Sequence, residues 1–147
     1  MDIEAVLDRS CWVIDALPRQ VPAGSPGQFF AVEQYLLHGP ERDVFARRAA
    51  RILLKLSCYC ELSLFYPRSE RTLETPAPET LDQAVQDVLT GRGPEPELFV
   101  LLPGADTLLR LGTDELCLTL YDPPEDLLWL LGQLARAEGL FLWQPPR

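Results

Sequence analysis

The stretch Leu116-Cys117-Leu118-Thr119-Leu120-Tyr121 alternates apolar and mostly polar positions, so an extended chain places three leucines on one side. That period of two predicts a half-buried strand. Upstream, Leu98-Phe99-Val100-Leu101-Leu102 is a continuous apolar run, as expected of a strand covered on both faces. Leu102-Pro103-Gly104-Ala105 has Pro and Gly where a type II turn needs them, so Thr107 to Leu111 should return antiparallel. Gly112-Thr113-Asp114 turns again, and the three runs form a meander. Asp122-Pro123-Pro124-Glu125 then offers an aspartate cap with glutamate at the third helical position. The helix it launches carries Leu127, Leu128, Leu130, Leu131 and Leu134, and Gly139 suits its left-handed end. A last strand spans Leu140 to Trp143, and Pro145-Pro146 stops it.

The N-terminal part follows a helical period instead. Ile3, Val6, Leu7, Val13, Ile14 and Leu17 predict a helix over residues 2–17, with Asp2, Glu4 and Asp8 early, where the helix dipole favours acid. Pro18 to Ser25 reads as a loop. Ser25-Pro26-Gly27-Gln28 resembles a capping box and predicts a second helix from Pro26 to Leu37, ended by His38-Gly39-Pro40. Phe45, Ala49, Ile52, Leu53 and Leu56 predict a third helix over residues 40–57, with Arg47, Arg51 and Lys55 as a basic stripe on its flank. The stripe reads as a solvated face balancing an acidic neighbour. Cys58 to Tyr66 predicts a strand, Arg68 to Ala77 a polar loop, and Pro78 to Thr90 a fourth helix closed by Gly91-Arg92-Gly93-Pro94.

From residue 58 onward the order is strand, helix, three strands, helix, strand. This gives an α+β fold in which N-terminal helices precede a mixed, largely antiparallel sheet of about five strands, with helices mainly on one face. At 147 residues the chain fits a single domain, helical over 1–57 and sheet-containing over 58–147, that buries roughly two thirds of its unfolded surface. No apolar run approaches the roughly 18 residues needed to cross a bilayer. Met1-Asp2-Ile3-Glu4 has acid where a secretory signal carries basic residues, so a cytoplasmic location is expected.

Charge changes the picture more than composition does. The net charge is -9, yet residues 41–56 carry Arg42, Arg47, Arg48, Arg51 and Lys55 against only Glu41 and Asp43. Between Glu70 and Asp126, thirteen carboxylates face only Arg71, Arg92 and Arg110. Such a molecule is electrically lopsided, and its overall charge opposes binding to nucleic acid phosphates.

No reaction signature accompanies these patterns. Cys58 and Cys60 form the one close thiol pair, and together with Cys11, Cys117 and His38 they lack zinc-ligand spacing. Reduced thiols packed as small apolar groups are the plain reading. His38, the single histidine, lies at a helix end without a nucleophile motif and reads as a partner of terminal carbonyls. The carboxylate pairs fall at turns and caps, where water keeps their pKa values ordinary, and Asp106, Asp114 and Asp122 lack EF-hand spacing. Gly91-Arg92-Gly93 leads into Pro94 and not into a helix, so no nucleotide loop is present. Neither catalytic nor metal-binding residues nor a cofactor are assigned.

The expected role is therefore to bind another protein, with a basic one favoured by the acidic field. Glu70, Glu74, Asp114, Glu115, Glu125, Asp126 and Trp143 are the candidate partner-binding residues. An immunity or antitoxin-like protein and an adaptor are two concrete versions. Homodimerisation through an edge strand such as Leu140–Trp143 is also expected to be accessible, without nucleic acid or membrane partners. Trp129 and Trp143 are possible interface anchors, with packing at the edge of the core the stronger reading. The rival class is an enzyme or small-ligand protein with a site between the N-terminal helices and the sheet, using Cys58, Cys60 or Cys117.

Overall fold

The three strands of the expected meander lie at the centre of the observed sheet. The structure, a computed structural model, describes residues 1–146. In chain order its elements are α1 (Ile3–Leu7), β1 (Cys11–Asp15), α2 (Phe29–His38), α3 (Glu41–Leu56), β2 (Ser63–Tyr66), β3 (Arg71–Glu74), α4 (Pro78–Thr90), β4 (Glu97–Leu102), a 3-10 turn over Pro103–Ala105, β5 (Thr107–Gly112), β6 (Cys117–Tyr121), α5 (Glu125–Ala137) and β7 (Phe141–Trp143). The strands form one sheet in the order β3-β2-β4-β5-β6-β1-β7. Every pairing is antiparallel. The α+β class holds, whereas the mixed sheet of about five strands gives way to an antiparallel one of seven.

Both additional strands come from segments read otherwise. Helical spacing across residues 2–17 breaks after α1, whose start is capped by the Asp2 carboxylate accepting from the Ala5 amide at 3.3 Å. Beyond it, Trp12 and Ile14 lie opposite Leu120 and Leu118 of β6, and Ile14 also lies opposite Leu142 of β7. Ladders on both sides satisfy the β1 backbone, which a short helix of mixed polarity does not match. The N-terminal stretch read as purely helical thus supplies an inner strand. β3 lies in the segment read as a loop because its sequence, Arg-Thr-Leu-Glu, is polar. As an edge strand it needs an apolar side chain only at Leu73, which packs on the core.

Local signals also resolve differently. Ser25 Oγ accepts from the Gly27 amide at 3.5 Å, a turn rather than a capping box, and α2 starts three residues later than expected, with Gln28 as its cap. The turn after β4 is the 3-10 turn, closed by Asp106 in the left-handed region (φ 49°), instead of a type II turn. Asp122 is left-handed as well (φ 43°), and Pro124 is the cap of α5. Gly139 does take the expected left-handed conformation (φ 74°).

Helices α3, α4 and α5 cover one sheet face. Ile52, Leu53 and Leu56 of α3, Val85 of α4 and Leu131 of α5 share a core with Leu64, Val100, Leu109 and Leu118 of the strands. The opposite face is covered over a small area, where Val6 of α1 packs on Phe99 and Leu108. Toward the end where β1 finishes and β6 begins, that opposite face bears Asp15, Arg110, Cys117 and Glu97, and α2 stands beside it.

Candidate functional site

Helix α2 has the sequence Phe-Phe-Ala-Val-Glu-Gln-Tyr-Leu-Leu-His, apolar on nearly every side. A helix of that kind is ordinarily buried. Here only Leu37 is buried, while Phe29, Phe30, Val32 and Tyr35 are 44, 72, 51 and 71% exposed. Leu17, which lines the same cleft as Phe29 and Val32, is also exposed. Isolated surface leucines need no explanation, but Leu17, Phe29 and Val32 line one cleft, with Phe30 and Tyr35 exposed on its two flanks, and clustered apolar exposure of this sort marks interaction sites.

Acid borders this patch. A narrow cleft of about 130 Å³ runs between α2 and the sheet end, lined by Leu17, Phe29, Val32, Leu36 and Leu116, with Asp15, Glu33 and Cys117 among its polar members. Burial raises the pKa of Asp15 and the Glu33 charge adds to it, against hydrogen bonds from the Leu17 and Ala16 amides. Among the described residues, neither Asp15 nor Glu33 is paired with a cation. Beside the cleft, Arg110 is held between Glu97 and Glu115, donating to Glu97 and, at 3.1 Å, to Glu115. Its positive charge is therefore already shared by two carboxylates.

The Cys117 thiol is pushed up to about 12 by burial and by the nearby charges of Glu115, Asp15 and Glu33, with Arg110 opposing. It stays a thiol at neutral pH, so it is a poor nucleophile. Cys117 stands at the start of β6 and lines the cleft beside α2. Cys58 and Cys60 do not lie on a strand but on the turn that leaves α3, and Cys58 is exposed, contrary to the packed reading. Cys60 lines a larger cleft of about 660 Å³ with Tyr59, Glu61, Ala105, Asp126 and Leu130, and burial followed by Asp126 raises its pKa. No group of three or more His, Cys, Asp or Glu side chains converges as a metal cluster among the described residues. His38 meets the Gln34 side chain at 3.2 Å and not the terminal carbonyls.

The seven candidate partner-binding residues do not form one surface. Glu70, Asp114 and Glu115 lie at the sheet end that carries the β2–β3 and β5–β6 turns, whereas Glu74, Glu125 and Asp126 lie toward the other. Glu115 is partly neutralised by Arg110. The Trp143 indole donates to the Leu17 carbonyl at 2.9 Å, which ties the last strand to the segment after β1. Trp129, by contrast, is 67% exposed on α5. The basic stripe of α3 does face an acidic neighbour: Arg51 and Lys55 both bond Glu138, at 2.9 and 3.2 Å.

Sequence reasoning missed Asp15 and Glu33. Asp15 falls inside the stretch 2–17 whose spacing predicts a helix, and Glu33 is a polar position among the apolar ones of the expected second helix. A usable signal was present in α2 itself, since six large apolar residues among ten (Phe29, Phe30, Val32, Tyr35, Leu36 and Leu37) exceed what one buried stripe requires. Compared with protein-family models, with curated proteins and with solved structures, the chain matches none. Among the described residues no helix is long and apolar enough to cross a membrane.

Proposed function

We propose that this protein binds another protein through the α2 face and its acidic border, and that the partner presents an apolar patch rimmed by cations. The observation that carries this reading is the exposure of Phe29 and Val32 in one cleft with two carboxylates that have no cation partner among the described residues, on a helix that also exposes Phe30 and Tyr35. Apolar contact supplies affinity, and the acidic field steers a basic partner and selects against acidic ones. An immunity or antitoxin-like protein that neutralises a basic toxin has these requirements, and so does an adaptor. The test is affinity capture at low and high salt with the wild-type chain and with Phe30→Ser/Tyr35→Ser. A basic partner that is retained by wild type at low salt, weakened at high salt and lost by the variant supports the reading. Capture that the variant leaves unchanged moves the interface elsewhere.

A second reading rests on the cleft at Cys60, whose volume falls in the range of small-molecule sites. It requires a reactive thiol there. Thiol labelling of the native protein distinguishes the two: Cys58 should react readily as an exposed side chain, with Cys60 slow and Cys117 protected until unfolding. Fast labelling of Cys60 near neutral pH would favour the ligand site.

A further inference from the structure

The cleft between α2 and the sheet end is too small for a metabolite. At about 130 Å³ it lies well below the roughly 300 Å³ at which small-molecule sites begin. It offers room for one extended side chain. Its walls are aliphatic and aromatic, from Leu17, Phe29, Val32, Leu36 and Leu116, and its charged groups are Asp15 and Glu33. From this geometry we infer that the cleft is a specificity slot for one arginine or lysine side chain of a protein partner, with the aliphatic stem against α2 and the cation on Asp15 and Glu33.

Three observations favour that occupant over a neutral one. First, the two carboxylates stand together without a counter-charge among the described residues, whereas Glu97 and Glu115 share Arg110 and Glu138 has both Arg51 and Lys55. A neutral occupant would bury Asp15 further and leave its charge uncompensated, which is costly. Second, Asp15 is fixed in place, because its Oδ1 accepts from the Leu17 amide at 3.4 Å and its backbone is in the β1 ladder. Third, arginine and lysine combine an apolar stem with a polar tip, which matches apolar walls that carry carboxylates. Arginine also brings five donors, enough for both carboxylates together, and is enriched among residues that dominate interfaces.

The inference rests on the proposed protein-binding role and deepens it, so the experiment separates the two. The probes are capped Gly-Arg-Gly and Gly-Lys-Gly peptides, with Gly-citrulline-Gly and Gly-norleucine-Gly as uncharged counterparts, titrated into the isotopically labelled full chain at low salt and followed by amide NMR. The cationic peptides should produce saturable shifts at residues 15–17, 32–36 and 116–117 in the millimolar range, and the uncharged ones should bind about tenfold more weakly or less. Asp15→Asn/Glu33→Gln should lose the difference between charged and uncharged probes. Glu33→Lys, at a helix position where the glutamate side chain makes no hydrogen bond among the described residues, provides a cation in place of the probe's and should abolish the shifts with folding intact. Absence of saturable shifts at those residues up to about 10 mM, or equal binding of citrulline and arginine probes, overturns the slot. In the capture experiment, a basic partner held equally by wild type and by Asp15→Asn/Glu33→Gln sinks the slot and leaves the protein-binding role. Localised peptide shifts without any captured protein do the reverse.

Discussion

At Asp15 a partly buried carboxylate costs stability. Burial and the neighbouring Glu33 raise its pKa in the folded chain, so folding takes up protons there. The sign follows from linkage: with the folded pKa above the unfolded one, ionised Asp15 opposes folding at neutral pH, and that penalty fades as pH falls through the raised folded value and is gone below about 4. Asp15→Asn keeps an oxygen for the Leu17 amide and removes the charge. It should stabilise the protein at pH 7 by less than about 1 kcal/mol once solvent screening of this partly exposed group is allowed for. Thermal melts at pH 7 and pH 3 check this, since the advantage should vanish at the lower pH. A variant less stable than wild type at pH 7 would show that the carboxylate is compensated in the fold.

At the scale of elements, Glu138 works in the opposite direction. Its side chain is 8% exposed at the end of α5, and two cations of α3 reach it. Burial alone would raise its pKa, but the hydrogen bonds from Arg51 and Lys55 and their charges hold it below the usual carboxylate range. The pair therefore adds stability above about pH 4.5, which is lost as pH falls through the depressed folded value. Because both cations are about half exposed, we expect Glu138→Gln to cost about 1 kcal/mol at pH 7. The gap to wild type should close in melts below pH 4. A gap that persists there would assign the loss to packing.

The elements also differ in how far they could be read. Helices α3 and α4, with buried stripes at regular spacing, match their expected limits to within a residue. Strands β4, β5 and β6 appear where alternation and turn residues place them. β1 was illegible because five residues, Cys-Trp-Val-Ile-Asp, are too few to separate a period of 2 from one of 3.6 once a helical segment precedes them. β3 was illegible because an edge strand in water carries little hydrophobic signal.

For the whole molecule, the exposed apolar residues of α2 and the two sheet edges are the surfaces open to association. The outer edges belong to β3 and β7, four and three residues long. Short edges of this kind, one of them polar and the other followed by prolines, are poor templates for pairing. If the α2 face awaits a different protein, light scattering at two concentrations should return a monomer at both. If a dimer forms and Phe30→Ser/Tyr35→Ser dissolves it, the α2 face is self-complementary. A dimer untouched by that variant would point to an edge strand such as β7.

What the sequence determined by itself is the class of fold, the three-strand meander, the two long helices of the main core and the acidic excess, because each follows from periodicity or charge within a few neighbouring residues. Only the tertiary structure decided that residues 11–15 form an inner strand, that the carboxylates of Asp15 and Glu33 border one cleft, and that the acids first singled out are divided between two ends of the sheet. Those outcomes depend on pairing between positions as far apart as Cys11 and Tyr121, or Val13 and Trp143. The free energy of such pairs belongs to the assembled sheet and leaves no local period along the chain.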